Sequence, residues 1–264
     1  MRAWVGTSGW QYASWKGTFY PARLPQRAWL SHYVTCFPVV EVNNSFYRMP
    51  DENTFDRWRD AAPEGFVFAV KANRLITHLQ RMRNSEETLE IFWSRAQRLR
   101  RKLGPVLFQF PPFFKADVPR LADFLKALPV TMRAAFEFRE ASWWRDDVFD
   151  LLDRAGAAWV LADRAGARVQ TIVTGGWSYV RFHQGQAGKP GYKKSKLARW
   201  ADRIAGLDVD ETFAFFNNDI EVAAPGDAAT LTELLRERGC DVVAPAAPKR
   251  APGPQQLSLF PLVG

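Results

Sequence analysis

The stretch Ser-Tyr-Val-Arg-Phe-His at residues 178–183 decides the fold. Its polar and apolar residues alternate with the two-residue period of a β-strand, and it ends in a polar residue. The alternation predicts that Arg181 and His183 share one face of the strand, whereas Val180 and Phe182 pack against helices on the other face. Similar short apolar segments recur along the chain, so this strand is one member of a repeated pattern.

Eight such segments alternate with helix-like segments. We predict strands at Trp4–Thr7, Val39–Asn43, Phe66–Lys71, Val106–Phe110, Arg133–Phe138, Ala158–Ala162, Ser178–His183 and Thr212–Phe216. We predict helices at Asp51–Ala61, Ser85–Leu103, Val118–Ala127, Asp146–Ala155, Ser195–Ile204 and Asp227–Arg238. Ser195 is expected to cap its helix, and Gly239 is expected to end the last one.

This order of elements predicts an α/β protein with a parallel sheet. Eight strands within residues 1–243 predict a single closed (β/α)8 barrel of the TIM type. An open, doubly wound sheet is the alternative. It is disfavoured because no Gly-x-Gly-x-x-Gly follows the first strand.

Composition narrows the classes of function. The chain has 264 residues, 47% of them hydrophobic, which suffices for a globular core. A net charge of +8 suits a polyanionic partner such as nucleic acid, but it also fits an Arg-rich, solvated surface. Two cysteines are too few for a disulfide framework, and we expect a cytoplasmic protein without a signal peptide or membrane helix.

A tail is predicted at residues 244–264, because residues 244–255 are rich in Pro, Ala, Lys and Arg and cannot bury enough apolar surface to become ordered. Gln256-Leu257-Ser258-Leu259-Phe260 follows, and it resembles the bacterial DNA sliding-clamp binding peptide. The resemblance implies that Gln256, Leu257, Leu259 and Phe260 bind the sliding clamp of a DNA polymerase. The alternative is that this segment covers an apolar patch of its own chain.

Polar residues gather where the predicted strands end, which is the end of a TIM barrel that carries function. The expected inward ring comprises Glu41, Asn43, Lys71, Gln109, Glu137, Arg139, Asp163, Arg181, His183, Asn217 and Asp219. One interpretation is a pocket for an anionic ligand. The other is a buried ion-pair network that holds the barrel together, since buried charges need partners.

The pocket interpretation assigns roles to these residues. Lys71, Arg139 and Arg181 would hold phosphate or carboxylate. Glu137, Asp163 and His183 are the candidate catalytic acids and bases. Further candidate substrate-binding residues are Glu41, Asn43, Gln109, Trp143 and Asn217.

Other residues extend the candidate site. Aromatic residues crowd two loops and would stack on bases or sugars or form a lid core; they are Trp10, Tyr12, Trp15, Phe19, Tyr20, Trp143 and Trp144. Lysines expected in the loop after the seventh strand would hold phosphate or be solvated; they are Lys189, Lys193, Lys194 and Lys196. No metal site is assigned, because the chain has only three His and no His-x-His. A Mg²⁺ or Mn²⁺ ion on the carboxylates Glu41, Glu137, Asp163 or Asp219 is the compatible cofactor, and His78 is a candidate loop ligand.

Several sequence blocks in order along the chain resemble the YecE-like family, a domain of unknown function. They are residues 5–10 (VGTSGW), 41–47 (EVNNSFY), 68–73 (FAVKAN), 77–78 (TH), 107–112 (LFQFPP), 136–139 (FEFR), 142–143 (SW), 179–183 (YVRFH) and 216–218 (FNN). The resemblance implies a TIM barrel and no particular activity. The lysine-rich segment 189–196 departs from the family pattern.

Three hypotheses of function follow. The first is a DNA-maintenance enzyme, hydrolase-like, that acts on a phosphate-bearing nucleotide or nucleic acid and is recruited to the sliding clamp. The second is a hydrolase or isomerase of a sugar or sugar phosphate. The third is a ligand-binding protein without catalysis.

Overall fold

All eight predicted strands form. The computed structural model describes residues 1–164, 171–183 and 191–245. Its strands are β1 (Arg2–Ser8), β2 (Val39–Val42), β3 (Val67–Lys71), β4 (Leu103–Gln109), β5 (Ala134–Glu137), β6 (Ala158–Asp163), β7 (Ser178–Phe182), β8 (Glu211–Phe216) and β9 (Asp241–Val242). Its α-helices are α1 (Trp29–Tyr33), α2 (Asn44–Tyr47), α3 (Glu52–Ala61), α4 (Glu86–Ala96), α5 (Val118–Ala127), α6 (Asp146–Arg154), α7 (Lys194–Ala205) and α8 (Ala223–Glu237).

The sheet closes into a barrel because β1 pairs on both sides. It pairs in parallel with β2 at Thr7 and Ser8, and in parallel with β8 from Arg2 to Thr7. The strands from β2 to β8 follow one another in chain order, and every pair is parallel. The protein is therefore a (β/α)8 TIM barrel, as predicted, and all eight strands end at the same mouth.

Apolar side chains fill the lower barrel and leave polar groups at the mouth. The inner cluster contains Trp4, Val39, Ala69, Leu107, Ala135, Val160, Tyr179 and Phe213. A second, larger cluster lies between the outer face of the sheet and the helices, and it includes Val180 and Phe182. The side chains of β7 thus divide between its two faces as the alternation predicted.

The foot of the barrel is the opposite end, where β9 joins. It pairs with β1 at Arg2 and Ala3, and the Val243 amide donates to Ala3 O at 2.9 Å. The predicted tail begins here, and its proposed clamp residues Gln256, Leu257, Leu259 and Phe260 lie outside the described residues. No helix in the described ranges is long and apolar enough to span a membrane.

Two local predictions were wrong. Asn43 does not extend β2 but precedes α2, which begins one residue after it. Ser195 does not cap α7, since this helix starts at Lys194 and its N-cap, Lys193, makes no side-chain capping bond. Gly239 does follow the last helix in a left-handed conformation with φ of 77°, as expected of a helix stop.

Candidate functional site

Arg181 lies at the centre of an ion-pair network at the floor of the mouth. Its Nη2 donates to Glu41 Oε1 at 2.7 Å, and its Nη1 donates to Glu137 Oε2 at 2.5 Å. Tyr179, two residues earlier on the same face of β7, donates its hydroxyl to Glu41 Oε2 at 2.6 Å. The three charged side chains are at most 1% exposed. This deep layer corresponds to the buried network that the sequence offered as the alternative to a pocket.

The network keeps both carboxyl groups ionised. Burial alone would raise the pKa of Glu41, but the charge and hydrogen bond of Arg181 lower it. Burial likewise opposes ionisation of Glu137, yet Arg181, His183 and Arg139 hold its pKa well below the ordinary value. The general acid of a glycoside hydrolase needs a raised pKa, so neither Glu41 nor Glu137 has the environment of such an acid.

Lys71 lies above this floor at the end of β3. Its Nζ donates to Gln109 Oε1 at 2.7 Å and lies 4.1 Å from the centre of the Phe46 ring. Gln109 in turn donates its Nε2 to Glu137 Oε2 at 2.9 Å. Burial, together with the charge of Arg181, lowers the pKa of Lys71 to about 7. Lys71 therefore changes its charge close to neutral pH.

His183 is oriented by two amide side chains. Asn43 Nδ2 donates to Asn217 Oδ1 at 3.3 Å, and Asn217 Nδ2 lies 3.3 Å from His183 Nδ1. His183 Nε2 lies 3.5 Å from Glu137 Oε1. An amide nitrogen only donates, so His183 Nδ1 is the acceptor in its contact with Asn217, and His183 Nε2 lies near Arg181 Nη1, 3.4 Å away, as well as near Glu137. One chain across the mouth thus joins four residues of the predicted ring, Asn43, Asn217, His183 and Glu137.

Arg139 is the most accessible cation of the predicted ring. Its Nε donates to Glu137 Oε1 at 2.9 Å, and its side chain is 29% exposed. Within the described part of the chain, its Nη1 and Nη2 have no hydrogen-bond partner. Arg164 is half-buried and donates from Nη2 to the Arg139 carbonyl oxygen at 3.0 Å. The upper layer therefore adds two guanidinium groups above carboxylates that Arg181 already neutralises in part.

Asp163 does not belong to the inward ring. It is paired in register with Phe182 of β7, which faces the helices, and it shares that outer face. Asp163 Oδ2 forms an ion pair with Lys196 Nζ on α7 at 2.7 Å. The prediction placed Asp163 on the wrong face because it came from the end of the strand and not from the strand's own alternation.

Trp143 is also displaced from the predicted site. It is fully buried, stacks on Phe138 with ring centres 4.0 Å apart, and donates its Nε1 to Phe114 O at 2.6 Å. These contacts place it in the outer core under the loops after β4 and β5. A ligand in the mouth cannot reach its ring.

The aromatic residues of the first loop form a lid core. Trp15 and Tyr20 are fully buried, and Phe19 packs edge-on against both. Tyr12 is half-buried near the mouth, where burial and the charge of Asp219 raise its pKa. Most of this cluster therefore serves packing, and only Tyr12 borders the candidate site.

The lysines predicted for the loop after β7 divide into three groups. Lys193 immediately precedes α7, and Lys194 and Lys196 belong to that helix. The amine of Lys196 forms an ion pair with Asp163. Lys189 lies outside the described residues, so its proposed role in phosphate binding stays a prediction.

The predicted carboxylate ligands do not converge on a metal site. Across residues 1–164, 171–183 and 191–245, no three His, Cys, Asp or Glu side chains come close enough to hold an ion. Glu41 and Glu137 both contact Arg181, and Asp163 faces away from them. His78 contacts Phe46 at 4.9 Å between ring centres, with Thr77 Oγ1 2.9 Å from its Nδ1. Burial and the charge of Lys71 lower the pKa of His78 to about 4.

Three residues of the site were not found by sequence reasoning. Tyr179 could have been found, because it precedes Arg181 by two positions and shares its face of β7. Arg164 directly follows β6, but nothing in the sequence indicates that it reaches Arg139. Phe46 lies in the one-turn helix α2, which the apolar pattern of the sequence does not reveal.

Comparison with known proteins identifies relatives over nearly the whole chain. A family model described as "Protein of unknown function DUF72" matches residues 4–252. The chain is 26% identical over 268 residues to the UPF0759 protein YunF of Bacillus subtilis, with 88% of this chain and 94% of YunF covered. It is also 26% identical over 142 residues to the UPF0759 protein YecE of Escherichia coli, which covers 53% of this chain and 50% of YecE. These matches confirm the resemblance that the sequence blocks predicted.

Solved structures agree on the fold. A DUF72 family protein from Thermotoga maritima superimposes with a TM-score of 0.80 at 28% identity, covering 89% of this chain and all of that one (100%). D-psicose 3-epimerase from Clostridium cellulolyticum superimposes with a TM-score of 0.56 at 9% identity, covering 90% of this chain and 96% of the epimerase. At that identity, the second likeness is one of fold alone.

Proposed function

We propose, from the premise that this chain belongs to the DUF72 family of proteins of unknown function, that its barrel mouth binds a small phosphate-bearing ligand. The observation that carries the proposal is the state of Arg139. Its Nε is fixed on the buried Glu137 carboxylate, while its Nη1 and Nη2 have no partner in the described part of the chain. A guanidinium held in this way presents two parallel donors, which suit a phosphate group.

The positive charge of the mouth supports the binding of an anionic ligand. Among the described residues, the cations Arg139, Arg164, Arg181 and Lys71 outnumber the carboxylates of the mouth, which are Glu41, Glu137 and, near Tyr12, Asp219. Arg181 already serves both carboxylates, so Arg139, Arg164 and Lys71 supply the surplus of positive charge. A bound phosphate would offset that surplus, and burial strengthens such an interaction.

The neutral polar groups of the mouth favour a ligand that carries hydroxyl groups in addition to phosphate. Asn43 Oδ1 is buried and has no hydrogen-bond partner among the described residues. Because an unpaired buried acceptor costs free energy, a ligand hydroxyl that donates to it would be stabilising. Sugar phosphates and nucleotides both combine phosphate with hydroxyl groups, so this chemistry keeps both alternatives derived from the sequence.

Lys71 is the group best suited to proton transfer in this mouth. A pKa of about 7 places it where a general acid or base works well. Its amine lies beside Gln109 and Phe46 and is 8% exposed, so a bound ligand can approach it. We therefore propose acid–base chemistry by Lys71 on the phosphate-bearing ligand, with His183 and Asn217 orienting that ligand.

The test is a binding panel measured by calorimetry. Sugar phosphates, nucleoside monophosphates and their unphosphorylated counterparts are titrated into the wild-type protein, the Arg139→Gln variant and the Arg145→Gln variant. We expect a phosphorylated compound to bind and Arg139→Gln to weaken it by about tenfold or more, since a charge-assisted hydrogen bond contributes roughly 1.5–3 kcal/mol. Arg145 is the matched control, because it lies just beyond the same loop, is 53% exposed and pairs with Asp147. Equal affinity for phosphorylated and unphosphorylated compounds would overturn the proposal.

We further propose that the tail recruits the protein to a DNA sliding clamp through Gln256, Leu257, Leu259 and Phe260. The support is the sequence match over five adjacent positions at the end of a Pro-rich segment. Recruitment of this kind would favour the nucleotide over the sugar phosphate as the ligand of the mouth.

A further inference from the structure

Exposed apolar side chains concentrate on one sector of the mouth. Among the described residues, six large apolar side chains are exposed, and four of them follow β2, β3 or β4. These four are Tyr47 (71% exposed), Leu75 (39%), Leu79 (64%) and Phe113 (67%). Single exposed apolar residues are ordinary, but a group on adjacent loops indicates a binding surface.

The same loops carry an excess of positive charge. Residues 43–51, 72–85 and 110–117 contain Arg48, Arg74, Arg81, Arg83 and Lys115, and their two acids, Asp51 and Asp117, cap the helices α3 and α5. Arg48, Arg74 and Arg81 are exposed. Arg83 lines a separate groove beside Glu86 and Asp117, so its charge is offset there. The sector is therefore complementary to an anionic partner.

A continuous chain of contacts joins these loops. Tyr47 packs edge-on against Phe46 at 5.0 Å, and Phe46 packs against His78 at 4.9 Å. Arg81 donates from Nε to His78 O at 3.3 Å and lies 5.6 Å over the Phe113 ring. The line of contacts thus runs from the loop after β2 to the loop after β4, and Phe46 connects it to Lys71 inside the mouth.

We infer that this sector, which we call the rim surface (Arg48, Tyr47, Arg74, Leu79, Arg81 and Phe113), binds single-stranded nucleic acid. Exposed Tyr and Phe rings offer flat faces on which unpaired bases stack, and the neighbouring arginines contact phosphates. A duplex hides its base faces and fits this arrangement poorly. The rim surface lies outside the mouth, but the choice of nucleic acid over a membrane as its partner rests on the ligand site proposed for the mouth.

An anionic membrane is the competing partner for a surface of this composition, since Arg with Tyr, Phe and Leu also suits lipid headgroups. The rim surface borders a mouth lined by Lys71, Arg139, His183 and Asn217. A lipid bilayer would leave this polar cavity unfilled, whereas a single strand of nucleic acid could place one of its nucleotides in it. This favours nucleic acid.

The experiment is fluorescence anisotropy with a labelled oligothymidylate of about 12 nucleotides, within the usual site size for such proteins. An oligouridylate of the same length distinguishes DNA from RNA, and a duplex and phosphatidylserine-containing vesicles are the competing probes. We expect the single strand to bind most tightly, and Tyr47→Ala and Phe113→Ala each to weaken it by about fivefold or more. Arg74→Gln and Arg81→Gln should each reduce the slope of log affinity against log salt by about 0.7.

Two control variants lie at the foot of the barrel. Val130, in the loop before β5, is fully exposed, and Arg101 is an exposed cation just before β4. Val130→Ala and Arg101→Gln should leave binding of the oligonucleotide unchanged. All six variants change exposed residues, and equal unfolding midpoints would show that they remain folded.

The inference is overturned if the single strand does not bind at about 50 mM salt, where phosphate contacts are strong. It is also overturned if Tyr47→Ala and Phe113→Ala bind like the wild type, or if vesicles bind through these rings and oligonucleotides do not. Loss of small-ligand binding in Arg139→Gln tests the mouth alone. Failure of one site is therefore distinguishable from failure of the other.

Discussion

Arg181 Nη2 lies 2.7 Å from Glu41 Oε1, although 140 positions separate the two residues in the sequence. The contact exists because β2 and β7 face each other across a closed barrel. Both side chains are at most 1% exposed, and the other Nη of Arg181 is bound to Glu137. One cation thus compensates two buried anions, which makes it the residue on which the top of the barrel depends.

Arg181→Leu should therefore destabilise the protein severely. The substitution leaves the buried Glu41 without a cation and leaves Glu137 with Arg139 alone, and removal of one member of a buried pair costs about 3–5 kcal/mol. Urea unfolding measures the loss. Adding Glu41→Gln and Glu137→Gln to Arg181→Leu should recover part of it, because the uncompensated charges are then gone. Arg145→Leu, which breaks an exposed pair, should cost far less, and equal losses in both single variants would contradict this account.

Lys71 should make stability depend on pH above neutrality. Its pKa is about 7 in the folded protein and has an ordinary value of 10.5. Between these values the unfolded chain binds one more proton than the folded chain, so the free energy of unfolding rises with pH in this window. Lys71→Met should remove that rise. Unfolding measured from pH 7 to pH 10 would test it, and parallel curves for the two proteins would refute it.

Ligand affinity should also follow the protonation of Lys71, but it should fall as the pH rises. A phosphate is attracted only by the protonated amine, so affinity in the mouth should fall by up to about tenfold for each pH unit above 7. Lys71→Arg keeps its charge throughout this range and should show a much flatter profile. A steep profile in Lys71→Arg would show that another group is responsible.

Substitutions of Asp163 and of His183 should differ sharply in their effect on ligand affinity, although the sequence assigned both residues to catalysis. Asp163 faces α7 and pairs with Lys196, so Asp163→Asn should leave ligand affinity unchanged. His183 faces the mouth, and His183→Asn should weaken the phosphate-bearing ligand by about fivefold or more, the equivalent of a hydrogen bond of ~1 kcal/mol. The two variants titrated side by side provide the comparison. Equal loss in both would mean that the outer face of β6 also contributes to binding.

The clamp peptide can be tested independently of the barrel. Replacing Leu259 and Phe260 by Ala removes two apolar anchors, each worth about 1.5–3 kcal/mol when fully buried. The intact chain should bind a bacterial sliding clamp, and the double variant should bind at least about a hundredfold more weakly. Absence of binding by the intact chain, or equal binding by both proteins, would remove the link to DNA maintenance.

The architecture was predictable because apolar residues recur with different periods in strands and in helices, and because each strand is a short apolar run. Inward residues such as Glu41, Glu137 and Arg181 followed from the alternation of their own strands. Asp163 was misplaced because it was assigned from its position at the end of the strand, although the alternation of β6 puts it on the outer face with Leu161. Trp143 was misplaced because a loop residue has no period, and only packing on Phe138 decides where its ring lies.

The attachment of β9 places the start of the tail on the outer side of the barrel. The described polypeptide pairs with β1 at Arg2 and Ala3 and reaches Pro245 in a cleft of about 730 Å³ that runs along α8 and also contains Phe37 and Pro38, just before β2 begins. Anything tethered beyond Pro245 therefore starts beside α8 on the outside of the barrel, whereas Arg139 and Tyr47 lie at the mouth. A partner held by the tail would consequently attach to the flank of the protein and leave the mouth open to a second molecule.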